Sequence, residues 1–329
     1  MHKIGHGGTH FTSWAQELRS TTTSTSVSSL GYSASAKHLV VAAGSAVLVV
    51  SASTLATVVE LDHGALVHGV TFAGSESVVA SVGGDGAARV WDCSAATQSH
   101  AFEGAGSAAC SVAFGIAAGQ PLLAVGYADG TAGLWSWTGE CLMTLPAHSG
   151  PVLGLDLSRD CKLLATASAD GGARVWRVPD GACTAVLHAG AKVGQLNRVR
   201  FGSVRTSSMV VVATASGEAL AFQLPSGSGA PAELRPALSF KGHTGPCRDL
   251  AIGENGEVLA TASQDRAIRL WKLRSGEHAR ALPGGGEVVA LAFSSRGAAN
   301  LATATAKGTV KVFGIVPRGG DAGMFARGR

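Results

Sequence analysis

Hydrophobic and polar positions alternate along this chain in short runs, most clearly between Pro146 and Val178. Val152, Leu155 and Leu157 form one apolar run, closed by a polar corner at Ser158-Arg159-Asp160. A second run, Leu163-Leu164-Ala165-Thr166, ends at Asp170-Gly171-Gly172, and Ala173-Arg174-Val175-Trp176 makes a third. Runs of period two separated by Gly/Asp turns predict hairpin-linked antiparallel strands, here a three-stranded meander with a fourth strand beside it. The step from Val152 to Leu155 breaks the alternation and predicts a bulge in the first strand.

The unit repeats along the whole chain. First-strand anchors fall at Tyr32, Phe72, Phe114, Leu157, Phe201, Ile252 and Phe293. Third-strand anchors fall at Val50, Trp91, Trp135, Trp176, Phe222, Trp271 and Phe313. The two sets agree on seven units. Fourth strands are predicted at Thr54–Leu61, Gln98–Glu103, Glu140–Leu145, Cys183–Leu187, Ala237–Phe240 and His278–Leu282. The seventh unit has no such run on its own side, and Thr9–Trp14 is the expected donor, with Ser20–Ser29 as connector. Pro225–Pro236 reads as a flexible inserted loop.

Three units share a polar signature: His63, Ser81, Asp85 and Trp91; His148, Thr166, Asp170 and Trp176; His243, Thr261, Asp265 and Trp271. In each, His precedes Asp by 22 positions, Asp precedes Trp by 6, and the hydroxyl precedes Trp by 10. The types suit a buried chain of hydrogen bonds, each contributing roughly 0.5–1.5 kcal/mol net. The third unit keeps only Asp129 and Trp135, and the first keeps none of the four. Polar partners are mostly lost together, the pattern of a structural set rather than a catalytic one.

Gly242-His243 and Trp91-Asp92 complete a resemblance to the tryptophan-aspartate (WD) repeat family. The resemblance implies an all-β fold, a seven-bladed β-propeller of four-stranded antiparallel blades. On that reading residues 1–316 form one propeller and 317–329 a flexible tail.

Composition narrows the functional classes. Charged residues make up only 15% and the net charge is +4 without any basic run, so nucleic-acid binding is not expected. The six cysteines are scattered, which suits reduced core residues. No secretory signal or membrane-spanning stretch is read, and the cytoplasm is the expected compartment, with a nuclear or cytoskeletal setting also compatible. A His/Ser/Asp hydrolase reading is set aside because the set is triplicated and tied to Trp. His2, His6 and His10 stand among glycines, which argues against a metal site. No cofactor is expected.

The remaining chemistry lies at the bulges and beside the Asp turns. Bulges re-aim side chains, here toward the channel rim where WD-repeat propellers commonly hold ligands. The candidate partner-binding residues are His68, Asn197, Arg198, Arg248, Asp249, Gln264, Arg266 and Lys307. Their basic weight around the last three units suits an acidic or phosphorylated peptide. The expected function is a non-catalytic protein–protein scaffold in a multiprotein complex. The alternative, a substrate receptor of a cullin-RING ubiquitin ligase, asks for Trp-Asp-x-Arg. Trp91-Asp92-Cys93-Ser94 lacks the Arg and Trp271-Lys272-Leu273-Arg274 lacks the Asp. A propeller enzyme would need carboxylates at the channel mouth, where only Asp249 is foreseen.

Overall fold

Alternate side chains of a strand face opposite sides, so runs that are apolar on both faces must be covered twice. The second strands show this best. Leu163–Ser168 and Val258–Ser263 are buried almost throughout, with Ala165, Ala167, Ala260 and Ala262 fully enclosed. A computed structural model describes residues 15–104, 106–202, 208–225, 231–295 and 299–315. It forms seven blades of antiparallel strands, and no α-helix occurs among the described residues. None of them therefore belongs to a helix long and apolar enough to cross a membrane.

The first strands line the centre. Val27–Tyr32, Val67–Phe72, Ala109–Ala117, Val152–Leu157, Leu196–Phe201, Cys247–Ile252 and Val288–Phe293 touch in that order, and the last returns to the first. A closed ring follows. Seven apolar clusters fill it, one at each seam between neighbouring blades. The third-strand aromatic of one blade packs against the blade before it, as Trp91 does against Val40, Val47 and Val49. Crowding at the centre selects small residues: a Cβ on Gly154 would stand 2.8 Å from Arg198 Cα.

Blade seven takes its outer strand from the N-terminal side, but from Ala15–Thr22, which pairs antiparallel with Thr309–Ile315. Thr9–Trp14, the stretch expected there, lies outside the described residues, as do His2, His6, His10 and the tail 317–329. Ser20–Thr22 belongs to this strand and Val27–Ser29 to blade one, so the connector shrinks to residues 23–26. The reason is local: threonine's branched Cβ favours extended backbone, and Glu17 reaches Lys311 Nζ at 2.9 Å across the pair.

The stretch Pro225–Pro236 also departs from expectation. Within it Ala232–Leu234 is a strand, paired in parallel with Cys183–Leu187 as a fifth strand on blade four. The outer strand of a blade is an open row of N–H and C=O groups, and this segment satisfies one such row. His188 and Glu233 pair beside it. Composition alone hid this because loop-forming Ser, Gly and Pro surround a three-residue strand. All six cysteines are free; Cys93, Cys161 and Cys247 are buried, whereas Cys141 is exposed rather than in the core.

Candidate functional site

The three polar sets close as hydrogen-bonded chains on one face of the ring. In blade six the Trp271 indole N–H donates to Thr261 Oγ1 at 2.9 Å, and that hydroxyl meets His243 Nε2 at 2.8 Å. His243 Nδ1 faces Asp265 Oδ2 at 2.9 Å. One assignment satisfies every group: indole to hydroxyl, hydroxyl to Nε2, and Nδ1–H to carboxylate. Asp265 also accepts the backbone N–H groups of Thr244 at 3.0 Å and Ala267 at 2.9 Å, which ties two turns together. Blade four repeats the chain at 3.0, 2.8 and 3.2 Å.

Blade two varies it. Trp91 donates to Ser81 at 2.8 Å and His63 Nδ1 meets Ser81 at 2.8 Å. His63 Nε2 lies 3.3 Å from Asp85 Oδ1, and Arg89 stands against both, 2.8 Å from His63 Nε2 and 2.7 Å from Asp85 Oδ2, as Arg174 stands 2.9 Å from His148 Nδ1 in blade four.

Burial, the leading cause in all three, lowers the pKa of His63, His148 and His243, so these rings are neutral near pH 7. Burial works the other way on the carboxylates, yet the donors around Asp85, Asp170 and Asp265 outweigh it and lower their pKa values. Ser81, Thr166 and Thr261 are fully buried. None presents a hydroxyl to a substrate.

The bulges fall at one position in every blade. The pairing of first and second strands skips Ser28, His68, Cys110, Leu153, Asn197, Arg248 and Val289. These seven residues, one per blade, line a central cavity of about 110 Å³ together with Ser29, Arg198 and Asp249. Ser28 and Cys110 escaped the sequence reading, although they follow Val27 and Ala109 at the same offset as the others.

Several candidate residues make contacts between blades. His68 Nδ1 donates to Ala109 O at 2.9 Å and Asn197 Nδ2 donates to Cys247 O at 2.7 Å, each crossing to the next blade. Ser28 and Ser111 do the same through Val67 O (2.6 Å) and Val152 O (2.9 Å). Asp249 accepts Leu291 N at 2.7 Å and stands 3.0 Å from Arg198 Nε. Arg248 reaches Glu287 at 3.2 Å.

Three candidates remain on the turns. Gln264 is half-buried, while Arg266 and Lys307 are exposed, and neither cation has a side-chain partner among the described residues. Arg266 adopts a left-handed backbone, φ +68°. The equivalent positions of five other blades are Gly86, Gly130, Gly171, Gly217 and Gly308, all with positive φ. Of these six blades, only blade six puts a side chain there in place of glycine. A non-glycine residue in this region costs about 1–2 kcal/mol.

The family profile described as "WD domain, G-beta repeat" matches residues 55–92, 139–177 and 234–272. Each match ends on the third strand of blade two, four or six, the blades that hold complete polar sets.

The chain is a WD-repeat β-propeller.

Among its relatives, pre-mRNA-processing factor 19 homolog 2 of Arabidopsis thaliana is 31% identical over 47% of this propeller and 36% of its own length. The transcriptional corepressor LEUNIG_HOMOLOG of the same plant is 27% identical over 47% of this chain and 18% of its own. Apoptotic protease-activating factor 1 of Rattus norvegicus is 28% identical over 45% of this chain and 11% of its own. The matches thus span about a third or less of these relatives.

Proposed function

We infer that this WD-repeat propeller is a non-catalytic protein-interaction scaffold whose contact face is the side carrying the polar sets and turns. The observation that supports it is Arg266: an exposed, unpaired cation on a strained backbone position where five sister blades have glycine. Strain of this kind accumulates where function requires a side chain. Lys307, on the matching turn of blade seven, adds a second free cation. Two exposed cations on neighbouring turns favour an acidic or phosphorylated segment of a partner protein. Arg198 and Arg248, each already facing a carboxylate, contribute less. Relatives named for pre-mRNA processing and transcriptional corepression make a multiprotein assembly, in the nucleus as well as the cytoplasm, the setting to examine.

Co-purification from the native source tests the reading with wild type, Arg266→Gly and Arg266→Glu/Lys307→Glu. Arg266→Gly is expected to leave folding stability unchanged or raise it by up to about 1 kcal/mol, while weakening capture of a defined partner set. The charge reversal abolishes that capture. Retention of the same partners by both variants would remove this face as the interface.

A further inference from the structure

The central cavity holds a cation that the protein itself satisfies only in part. Arg198 Nε lies 3.0 Å from Asp249 Oδ1, but its N–H does not point at the oxygen, and the nitrogen is buried without a hydrogen bond. No hydrogen bond leaves either terminal nitrogen of Arg198 among the described residues, although a guanidinium carries five N–H donors. Asp249 already serves two backbone donors. Its Oδ1 already accepts Leu250 N at 2.8 Å and its Oδ2 accepts Leu291 N at 2.7 Å. Arg248, on the same wall, directs Nε and one terminal nitrogen to a single Glu287 oxygen, each at 3.2 Å, and has its other terminal nitrogen to spare.

The lining therefore carries surplus donors: two guanidinium groups against Asp249, with a single Glu287 oxygen answering part of Arg248. Arg198 is only 18% exposed, with its Nε enclosed, and a guanidinium so withdrawn from water is costly unless acceptors answer it. Burial pushes the pKa of Arg198 down, ahead of the nearby Arg200 charge, as expected where compensation falls short. The space is limited: about 110 Å³, some three or four waters at roughly 30 Å³ each. That space accommodates one small ion.

We propose that the channel is a binding site for a single small oxyanion of the phosphate or sulfate type, held by Arg198 and Arg248 between blades five and six. Forked guanidinium donors match such oxygens in geometry as well as in charge. The ion would bridge two blades, a role separate from any protein contact on the turns.

Titration calorimetry of inorganic phosphate into the full chain, in chloride buffer of constant ionic strength, tests this. Wild type is expected to give a saturable one-to-one isotherm, displaced by sulfate. Arg198→Gln should weaken it by about tenfold or more, since a charge-assisted pair is lost. Arg198→Lys, which keeps the charge without the fork, should weaken it less, and Arg159→Gln, at an exposed corner of blade four, should not change it. Circular dichroism confirms that each variant is folded; if Arg198→Gln is not, Arg198→Lys and Arg248→Gln carry the test. No saturable uptake by wild type, or wild-type affinity in the folded Arg198 variants, would overturn the proposal.

Discussion

Blade six and blade one share a four-stranded frame and differ in what fills the seam behind them. Blade six has Thr261, Asp265 and Trp271, joined through His243 into one hydrogen-bonded chain. The matching positions of blade one are Val40, Gly44 and Val50. Trp271 packs tightly on blade five with Phe240, their rings 5.8 Å apart. Val50 leaves its seam open, and a groove of about 420 Å³ runs between blade one and the closing strand. The strands form either way, because apolar alternation suffices for them. What the polar set adds is volume at the seam and a fixed pair of turns.

Acidification should separate the two kinds of blade most strongly, because it acts on three polar sets at once. The rings of His63, His148 and His243 bind protons less readily when folded than when unfolded. Stability therefore rises with pH in this range: it is fully present above the ordinary His value of about 6.5 and is lost as pH falls below it. A second loss, from Asp85, Asp170 and Asp265, begins when pH falls through the ordinary carboxylate range, because their folded pKa values are also lowered. Denaturant midpoints read by tryptophan fluorescence at pH 7.5 and 5 check the first step. Equal midpoints would mean that the buried rings do not limit stability.

Removing a single anchor comes next. Asp265→Ala deletes one imidazole contact and two backbone N–H partners, for an expected loss of about 3 kcal/mol. Blade five has Ser216 at this place, its hydroxyl 2.9 Å from that of Thr214, so Ser216→Ala should cost about 1 kcal/mol or less. Urea midpoints of the two variants give the comparison directly. Similar losses would show that the turn, rather than the Asp, carries the energy.

Blade number, strand order and the polar sets were legible in the sequence because each leaves a repeated signal at fixed spacing. The closing strand was harder to place. Ala15–Thr22 carries little apolar alternation and owes its position to pairing with a strand nearly three hundred residues away. The strand at Ala232–Leu234 was illegible for the same reason, since its partner lies in another blade. At the channel, spacing located the bulges but not the neighbours. That Asn197 bonds Cys247 O, or that Asp249 caps Leu291 N, depends on the approach of the next blade. Arg266 stood out in the sequence by its place beside an Asp turn, and the glycines on five sister turns were legible there too.

The smallest effect is also the sharpest test of what a polar set contributes, because one chemical change should act differently in two blades. Thr261 and Thr303 occupy the same strand position, ten residues before Trp271 and Phe313, and both are buried. Thr261 Oγ1 has an indole donor and an imidazole neighbour, whereas Thr303 Oγ1 has no hydrogen-bond partner among the described residues. Valine keeps the shape of threonine and removes only the hydroxyl. Thr261→Val leaves an indole N–H and a ring nitrogen buried without partners, at an expected cost of about 1–3 kcal/mol. Thr303→Val relieves an unsatisfied group, and should leave stability unchanged or raise it by up to about 1 kcal/mol. Equilibrium unfolding of the pair measures the difference. Equal losses would place the role of threonine in packing or strand preference, while opposite signs would show that the hydroxyl stabilises a blade only where its partners survive.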